Sequence, residues 1–442
     1  MNELLRETRS VCPVCLRNLP ARLKRAPDGR VLLEKTCPAH GSFSVPVWQG
    51  KLDFEEWSAR SAPLAPGAGE RCPGDCGLCP GHESASCCVV LEVTARCNLR
   101  CRFCFADGGR ADADPPREEL EAAIRDIAAR CGGPLLQLSG GEPTLRGDLP
   151  ALVRCAKEAG CSYVQLNTNG LRLAREPDYA RALAEAGLDI VFLQFDGTRN
   201  EIYETLRGAP LLEPKLEAVR ACADAGLGVT LVPTVVEGVN DGELGALVAL
   251  AKSLVPAVRC VHFQPVSYLG RYPGGPGARY TLDRLMYDLH VQAGVPMETF
   301  LPSRCDHPLC GFHAAFLIGG GGELQPLSGA GRGEGRCSAK ENRDYVARRW
   351  MRSAPEPKPA AGASDFDRFL YRARHESLTL SAMPFQDAEN LNVERLRRCS
   401  LHVYDAGKLK PFCARYLSAI QKHHAAPVPH RTGAFFARSS IE

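Results

Sequence analysis

The chain has 442 residues, with 54 Lys and Arg against 51 Asp and Glu, a net charge of +3, 45% hydrophobic residues and 21 cysteines. That length gives room for two or three domains with a sizeable core, and balanced charge without a long basic block excludes a nucleic-acid footprint. No stretch reaches the ~20 apolar residues of a membrane span, and the opening MNELLRETRS holds no apolar signal segment, so the expected location is the cytoplasm. Thiols stay reduced there, and an odd number of cysteines is not a disulfide framework. Metal or redox chemistry is left to explain them.

In chain order, Cys12-Pro-Val-Cys15 and Cys37-Pro-Ala-His40 come first, with a hairpin-like turn at 26–30 between them. Two such knuckles suit a rubredoxin-like iron or a zinc-ribbon site with Cys12, Cys15, Cys37 and His40 as ligands. This module is expected over residues 1–60. A Pro/Gly/Ala stretch at 61–69 closes it, within a linker and auxiliary-cluster segment over 61–87 that also holds Cys72, Cys76 and Cys79. The C-x3-C-x2-C spacing reads as an auxiliary [4Fe-4S] site, with Cys87 or Cys88 as the fourth thiolate and His82 outside the ligand set.

From 88 to 300, short apolar runs alternate with helix-period segments. Strands are expected at 88–94, 135–139, 163–167, 190–195, 228–234 and 261–265, and a helix at 117–130, where Leu120, Ala123, Ile124 and Ile127 recur at three- and four-residue spacing. The alternation predicts an α/β fold with a parallel sheet, doubly wound or closed as a barrel. Directly after the first strand come Cys97, Cys101 and Cys104, again C-x3-C-x2-C. Three thiolates hold three irons of a cubane and leave the fourth open; a four-ligand electron-transfer cluster and a zinc knuckle are the alternatives by thiolate chemistry alone. Position favours the open cluster, because parallel sheets keep reactive groups at the C-terminal ends of their strands. The isolated Cys131, Cys155, Cys161, Cys222 and Cys260 read as small core residues.

Gly140-Gly141-Glu142-Pro143 follows the second strand. With the C-x3-C-x2-C loop and its aromatic Phe103 and Phe105, this resembles the radical S-adenosylmethionine (SAM) enzymes. The resemblance implies a partial (β/α)6 barrel, a [4Fe-4S] cluster on Cys97, Cys101 and Cys104, and SAM met by Phe103, Gly140, Gly141, Glu142 and Pro143, the Glu142 carboxylate facing the methionine amino group. Asn167, Asn169, Gln194 and Asp196 sit where that family contacts SAM and substrate, although Asn-Gly and Asp-Gly are also ordinary turn pairs. The implied chemistry is reductive cleavage of SAM to methionine and a 5′-deoxyadenosyl radical, which abstracts hydrogen from an unactivated carbon.

The C-terminal region, 301–442, is expected to hold a second auxiliary cluster on Cys305, Cys310, Cys399 and Cys413, and a loop at 353–364. Several strings, among them Cys37-Pro-Ala-His-Gly41, Leu193-Gln-Phe-Asp-Gly197, Phe263-Gln-Pro-Val-Ser267 and Gly270-Arg271, resemble the tetraether lipid synthases and the class D radical SAM methylases that act on pterins. That branch implies a transferase that forms a carbon-carbon bond by methylation or coupling, on a small-molecule or lipid substrate. It also implies two auxiliary [4Fe-4S] clusters, one mononuclear iron or zinc, and a reducing donor such as a ferredoxin or flavodoxin. The doubled Cys87-Cys88, the glycine run at 319–322 and the Pro/Ala insertion at 354–363 depart from the branch. A maturase of a peptide or cofactor precursor is a second reading. A non-catalytic iron-sulfur electron carrier is a third, which would need no SAM pocket.

Overall fold

The computed structural model describes residues 2–59, 72–74, 76–109, 113–274, 277–303, 305–327, 337–360 and 362–419; the linker expected at 61–69 lies outside them. Strands β1 (Glu3–Val11), β2 (Asn18–Arg25), β3 (Val31–Cys37) and β4 (Gly41–Trp48) form an antiparallel meander. Alternate residues of β2 and β3 point inward, as a one-faced sheet requires, and bury Leu23, Val31, Leu33 and Trp48. The expected turn is present: Ala26 N donates to Arg30 O at 2.8 Å, and Gly29 takes φ +85°.

The six apolar runs are six parallel strands, β5 (Cys88–Thr94), β6 (Leu135–Gly140), β7 (Tyr163–Thr168), β8 (Ile190–Gln194), β9 (Gly228–Val232) and, after the short β10 (Thr234–Val235), β11 (Val258–Pro265). Every residue of β9 is buried, which is why the runs are continuous rather than alternating. β11 starts three residues before the expected 261 because Arg259 interrupts the apolar run; it is buried with its guanidinium on Ser377 O and Oγ. The helix Arg117–Cys131 buries Leu120, Ile124, Ile127 and Ala128 against the sheet and ends on Gly132 in the left-handed region. These elements make the partial (β/α)6 radical SAM type of barrel.

The C-terminal region is not a separate layer. Its strands are β12 (Leu301–Pro302), β13 (Phe312–Ile318), β14 (Leu324–Pro326), β15 (Ser377–Ala382), β16 (Leu401–Asp405) and β17 (Lys408–Pro411). β15 pairs parallel with β11, and β16 pairs parallel with β5, so this region covers both edges of the six-stranded unit. An open edge with unmet backbone groups is thereby avoided on either side. The helix Ala339–Trp350 lies at the N-terminal end of the barrel, where Arg343 donates to Ser86 O at 3.3 Å and Gly132 O at 3.2 Å. Between Trp350 and Asp365 the described residues form no helix or strand, as expected for 353–364. No helix among the described residues is long and apolar enough to cross a membrane.

Candidate functional site

The loop after β5 carries Cys97, Cys101 and Cys104, and all three line a cavity of about 280 Å³ inside the barrel. Leu99 N and Gly108 N each point at a sulfur, Cys97 Sγ and Cys104 Sγ, at 3.5 Å. Burial pushes the Cys97 thiol up to about 11 and raises Cys104 as well, and metal binding at such thiols releases their protons. The loop is held from outside. Cys104 and Arg271 exchange backbone hydrogen bonds of 2.9 Å, and the Arg271 guanidinium donates to Cys101 O, Asp107 Oδ1 and Gly108 O, each at 3.0 Å. Neighbouring Gly270 sits at φ +57°, where a Cβ would lie 2.4 Å from Phe105 O.

Gly140 and Gly141 serve the same loop. A Cβ on Gly140 would stand 2.2 Å from Thr94 O, and one on Gly141 2.1 Å from Arg96 O, so only glycine lets the end of β6 press against the cysteine loop. Glu142 lines the cavity and braces the backbone as well. Its Oε1 accepts from Thr144 N (3.1 Å), Thr144 Oγ1 (2.6 Å) and Thr168 Oγ1 (2.6 Å), and its Oε2 from Asn169 N (2.7 Å). The carboxylate ties the end of β6 to the end of β7 while remaining on the cavity wall. Pro143 is buried in the short turn Pro143–Leu145, off the cavity wall.

Phe103, Asn167, Asn169 and Gln194 do line the cavity. Asn169 Nδ2 donates to Asn98 Oδ1 at 2.7 Å, and the fully buried Lys215 donates to Asn169 O and to Gln194 Oε1, the latter at 2.8 Å. Asp196 is not on the wall. Its carboxylate grips Arg207 through two bonds of 2.7 Å, and Arg207 takes the place on the wall beside Phe103 O. Burial works against the Arg207 charge, but Asp196 outweighs it and raises the pKa. The sequence signal that marks Asp196 therefore finds a positioning residue, and the group it positions has no motif of its own.

Deeper in the cavity stand the carboxamides of Gln137, Gln165, Gln264 and Asn342 and the rings of Phe192, His262 and Trp350. Ring centroids in this trio lie 5.2–5.6 Å apart. Burial lowers His262 to about 3, so it is neutral, with Nδ1 2.8 Å from Ser381 Oγ. Gln165 Oε1 is buried without a hydrogen-bond partner. On the open flank, Phe105 packs against Phe412 and Tyr416, and Phe385 stacks on Phe412 at 4.2 Å.

In the ribbon, the ligating atoms of Cys12, Cys15, Cys37 and His40 all lie within 4.8 Å of one another. His40 Nδ1 is 3.5 Å from Cys12 Sγ and 3.4 Å from Cys37 Sγ. Desolvation favours the Cys37 thiol, but hydrogen bonds from Ala39, His40 and Cys12 outweigh it and bring it down to about 6. This quartet fits one tetrahedral ion, for which thiolates stand ~3.8 Å apart.

The remaining cysteines group differently from expectation. Cys72, Cys76 and Cys79 are mutual neighbours, and burial with that crowding pushes Cys72 up to about 11. Cys87, like Cys88 expected as a candidate fourth ligand, accepts from Asn342 Nδ2 at 3.1 Å and faces Asp306 and Cys337. The expected quartet of Cys305, Cys310, Cys399 and Cys413 divides: the last three crowd one another, while Cys305 Sγ stands 2.7 Å from Cys337 Sγ. Sequence reading missed Cys337, which sits alone after a glycine-rich stretch and belongs to no spacing motif.

Comparison with known proteins agrees with this geometry. Residues 91–251 match the Radical SAM superfamily, and residues 4–49 match the HMPTM N-terminal zinc ribbon domain, which supports a single metal ion in the ribbon. The "Probable GTP 3′,8-cyclase" of Thermococcus kodakarensis is 37% identical over 166 residues, 36% of this chain and 52% of that protein. The solved structure of Streptococcus suis SuiB bound to precursor peptide SuiA aligns with TM-score 0.37 and 16% identity, over 42% of this chain and 40% of that one. The 7,8-dihydro-6-hydroxymethylpterin dimethyltransferase of Methanocaldococcus jannaschii is 31% identical over 470 residues, covering 92% of each chain. The protein is thus a radical SAM enzyme, and it belongs to the family of that dimethyltransferase.

Proposed function

We propose that the enzyme methylates a pterin-like heterocycle held inside its barrel. The observation that carries this reading is the set of carboxamides, Gln137, Gln165, Gln264 and Asn342, on the cavity wall. Carboxamides present both donors and acceptors, which match the ring N–H and carbonyl groups of a pterin. Phe192, His262 and Trp350 offer faces against which a planar ring stacks.

The donor set fits the cofactors. Cys97, Cys101 and Cys104 would hold the [4Fe-4S] cluster, and Phe103, Gly140, Gly141, Asn169, Gln194 and Arg207 would surround SAM. Once bound, this pair supplies one-electron cleavage of a carbon-sulfur bond and hydrogen abstraction from an unactivated carbon. The protein's own part is positioning: Asp196 fixes Arg207 as a permanent cation for a carboxylate, Lys215 fixes the Gln194 amide, and the Phe105, Phe385, Phe412 and Tyr416 group keeps water from the flank. Cys72, Cys76 and Cys79 form one auxiliary cluster site and Cys310, Cys399 and Cys413 another, while the ribbon holds one iron or zinc. A small reducing protein such as a ferredoxin or flavodoxin provides the electrons.

The test is anaerobic turnover of reconstituted enzyme with SAM, reductant and 7,8-dihydro-6-hydroxymethylpterin. The expected result is 5′-deoxyadenosine together with a pterin product that gains methyl groups. A pterin recovered unchanged while 5′-deoxyadenosine accumulates would remove the substrate assignment, and Gln165→Leu raising KM without loss of cleavage would support it.

A further inference from the structure

A chain of polar side chains runs along the seam between β11 and β15. Cys260, His262 and Gln264 lie two residues apart on β11 and so share one face of the strand; His262 and Gln264 line the cavity there. β15 runs parallel beside it, with Ser381 opposite His262. Ser381 Oγ stands 2.8 Å from His262 Nδ1 and 3.4 Å from Cys260 Sγ, and Trp350 is hydrogen-bonded to the same sulfur. Cys260, His262 and Ser381 are all buried. The rings of Phe192 and Trp350 pack on the imidazole, with centroids at 5.2 and 5.6 Å, and hold it in place.

The direction of this chain follows from its first member. An indole nitrogen only donates, so Trp350 N–H donates to the Cys260 sulfur. Burial pushes the Cys260 thiol up to about 12, so it keeps its own proton. Ser381 then has two choices. If its hydroxyl donates to the sulfur, that sulfur receives two protons and the thiol proton has no acceptor among the described residues. If the thiol donates to Ser381 Oγ, the hydroxyl donates to His262 Nδ1 and every proton meets an acceptor, as buried polar groups require. Burial keeps the imidazole neutral, so this second arrangement puts its single proton on Nε2. Nε2 has no hydrogen-bond partner among the described residues, and the ring stands on the cavity wall.

We infer that Trp350, Cys260 and Ser381 hold His262 as an Nε2–H donor facing the cavity, where it recognises a hydrogen-bond acceptor on the substrate ring. The recognition rests on the cavity being the pterin site; the donor does not. His262 is the member that touches substrate, and Cys260 and Ser381 are positioning residues. Nuclear magnetic resonance of the oxidised holoenzyme carrying isotope-labelled histidine tests the donor, the His262 signal being assigned by its loss in His262→Gln. The wild type should show the Nε2–H tautomer, and Ser381→Ala a mixture of both. An Nδ1–H tautomer in the wild type overturns the donor whatever the substrate proves to be. In anaerobic turnover with SAM and 7,8-dihydro-6-hydroxymethylpterin, His262→Leu should raise the pterin KM about tenfold, the worth of one hydrogen bond. Ser381→Ala should raise it by a smaller factor at unaltered kcat. His262→Gln, whose amide N–H reaches about as far as Nε2, should recover most of the loss. A wild-type KM in His262→Leu, or a glutamine variant no better than the leucine one, overturns the recognition and leaves the imidazole a packing element. A wild type that leaves the pterin unmethylated removes the recognition together with the substrate assignment, while the tautomer still decides the donor.

Discussion

The ribbon and the barrel loop both present cysteines in short spacings, yet they are assembled in opposite ways. In the ribbon, the hairpins that carry Cys12, Cys15, Cys37 and His40 bring the four ligating atoms within 4.8 Å through contacts inside the first 48 residues. In the barrel, Cys97, Cys101 and Cys104 are placed by partners far along the chain: Gly140 and Gly141, Arg271, and the aromatic side chains of Phe412 and Tyr416. A closed structural site is made by local turns, whereas a site that must leave one position open to a ligand is propped from behind by the rest of the fold.

The largest test of this contrast is the triple variant Cys97→Ala, Cys101→Ala, Cys104→Ala. It should lose about four irons and all 5′-deoxyadenosine formation while keeping the ribbon metal; residual SAM cleavage would show that another cluster is catalytic. Gly141→Ala comes next. Its Cβ would meet Arg96 O, and a displacement near 1 Å at a reacting centre costs about 10²-fold, so cleavage assays should fall by that order with the cysteines untouched. Normal activity would mean that the loop tolerates movement.

From the other side, Cys12→Ala with Cys15→Ala should lower unfolding stability by about 3 kcal/mol or more through loss of the ribbon ion, leaving SAM affinity as in the wild type. A drop in affinity matching that of Arg207→Ala would join the two regions functionally. Arg271→Lys keeps the charge but not the planar fork, and about tenfold slower SAM cleavage is expected, read alongside unchanged thermal unfolding.

The smallest effect concerns the seam between the two regions. Lys35 in β3 donates to Ser10 Oγ at 2.9 Å and, across the seam, to Ala388 O at 2.9 Å and Glu389 O at 2.6 Å. Burial lowers it to about 8, below the ~10.4 of an unfolded chain. Between those values the unfolded state holds the extra proton, so this group makes stability rise with pH from about 8 to 10, by at most about 1 kcal/mol per unit. Lys35→Met should flatten that part of the pH-stability curve, and an unaltered slope would place the titration elsewhere.

How far the sequence could be read follows the same divide between local and distant. The six strands are legible because burial makes most of each an apolar run, broken where Gln137, Gln165 and Gln264 meet the cavity, and the ribbon ligands because two knuckles sit at fixed spacing. β15 and β16 left no comparable mark: Ser377–Ala382 is half Ser and Thr and follows the helix Asp365–His375 after a single residue, and Leu401–Asp405 carries His402 and Asp405 within five residues. Arg207 belongs to no motif, and Arg271 was legible only within the Gly270-Arg271 string and not in its task. An arginine acquires its role from a partner, Asp196 or the Cys101 carbonyl, that no spacing rule connects to it. Glu142 was legible as a motif; that it also ties β6 to β7 through Thr144, Thr168 and Asn169 shows only in the fold.

The parallel pairing of β16 with β5 has a consequence for how the molecule is made. Cys88 waits for Leu401, about 300 residues later, and at ribosomal speeds of roughly 5–20 residues per second that is about 15–60 s. Throughout that interval the first barrel strand has an uncovered edge, and the cysteine loop at its tip lacks the Phe412 and Tyr416 side chains that later cover it. Nascent chains therefore pass through a stage in which the loop is accessible to iron and sulfide delivery and the edge is exposed to aggregation. Synthesis of the last strands closes both at once.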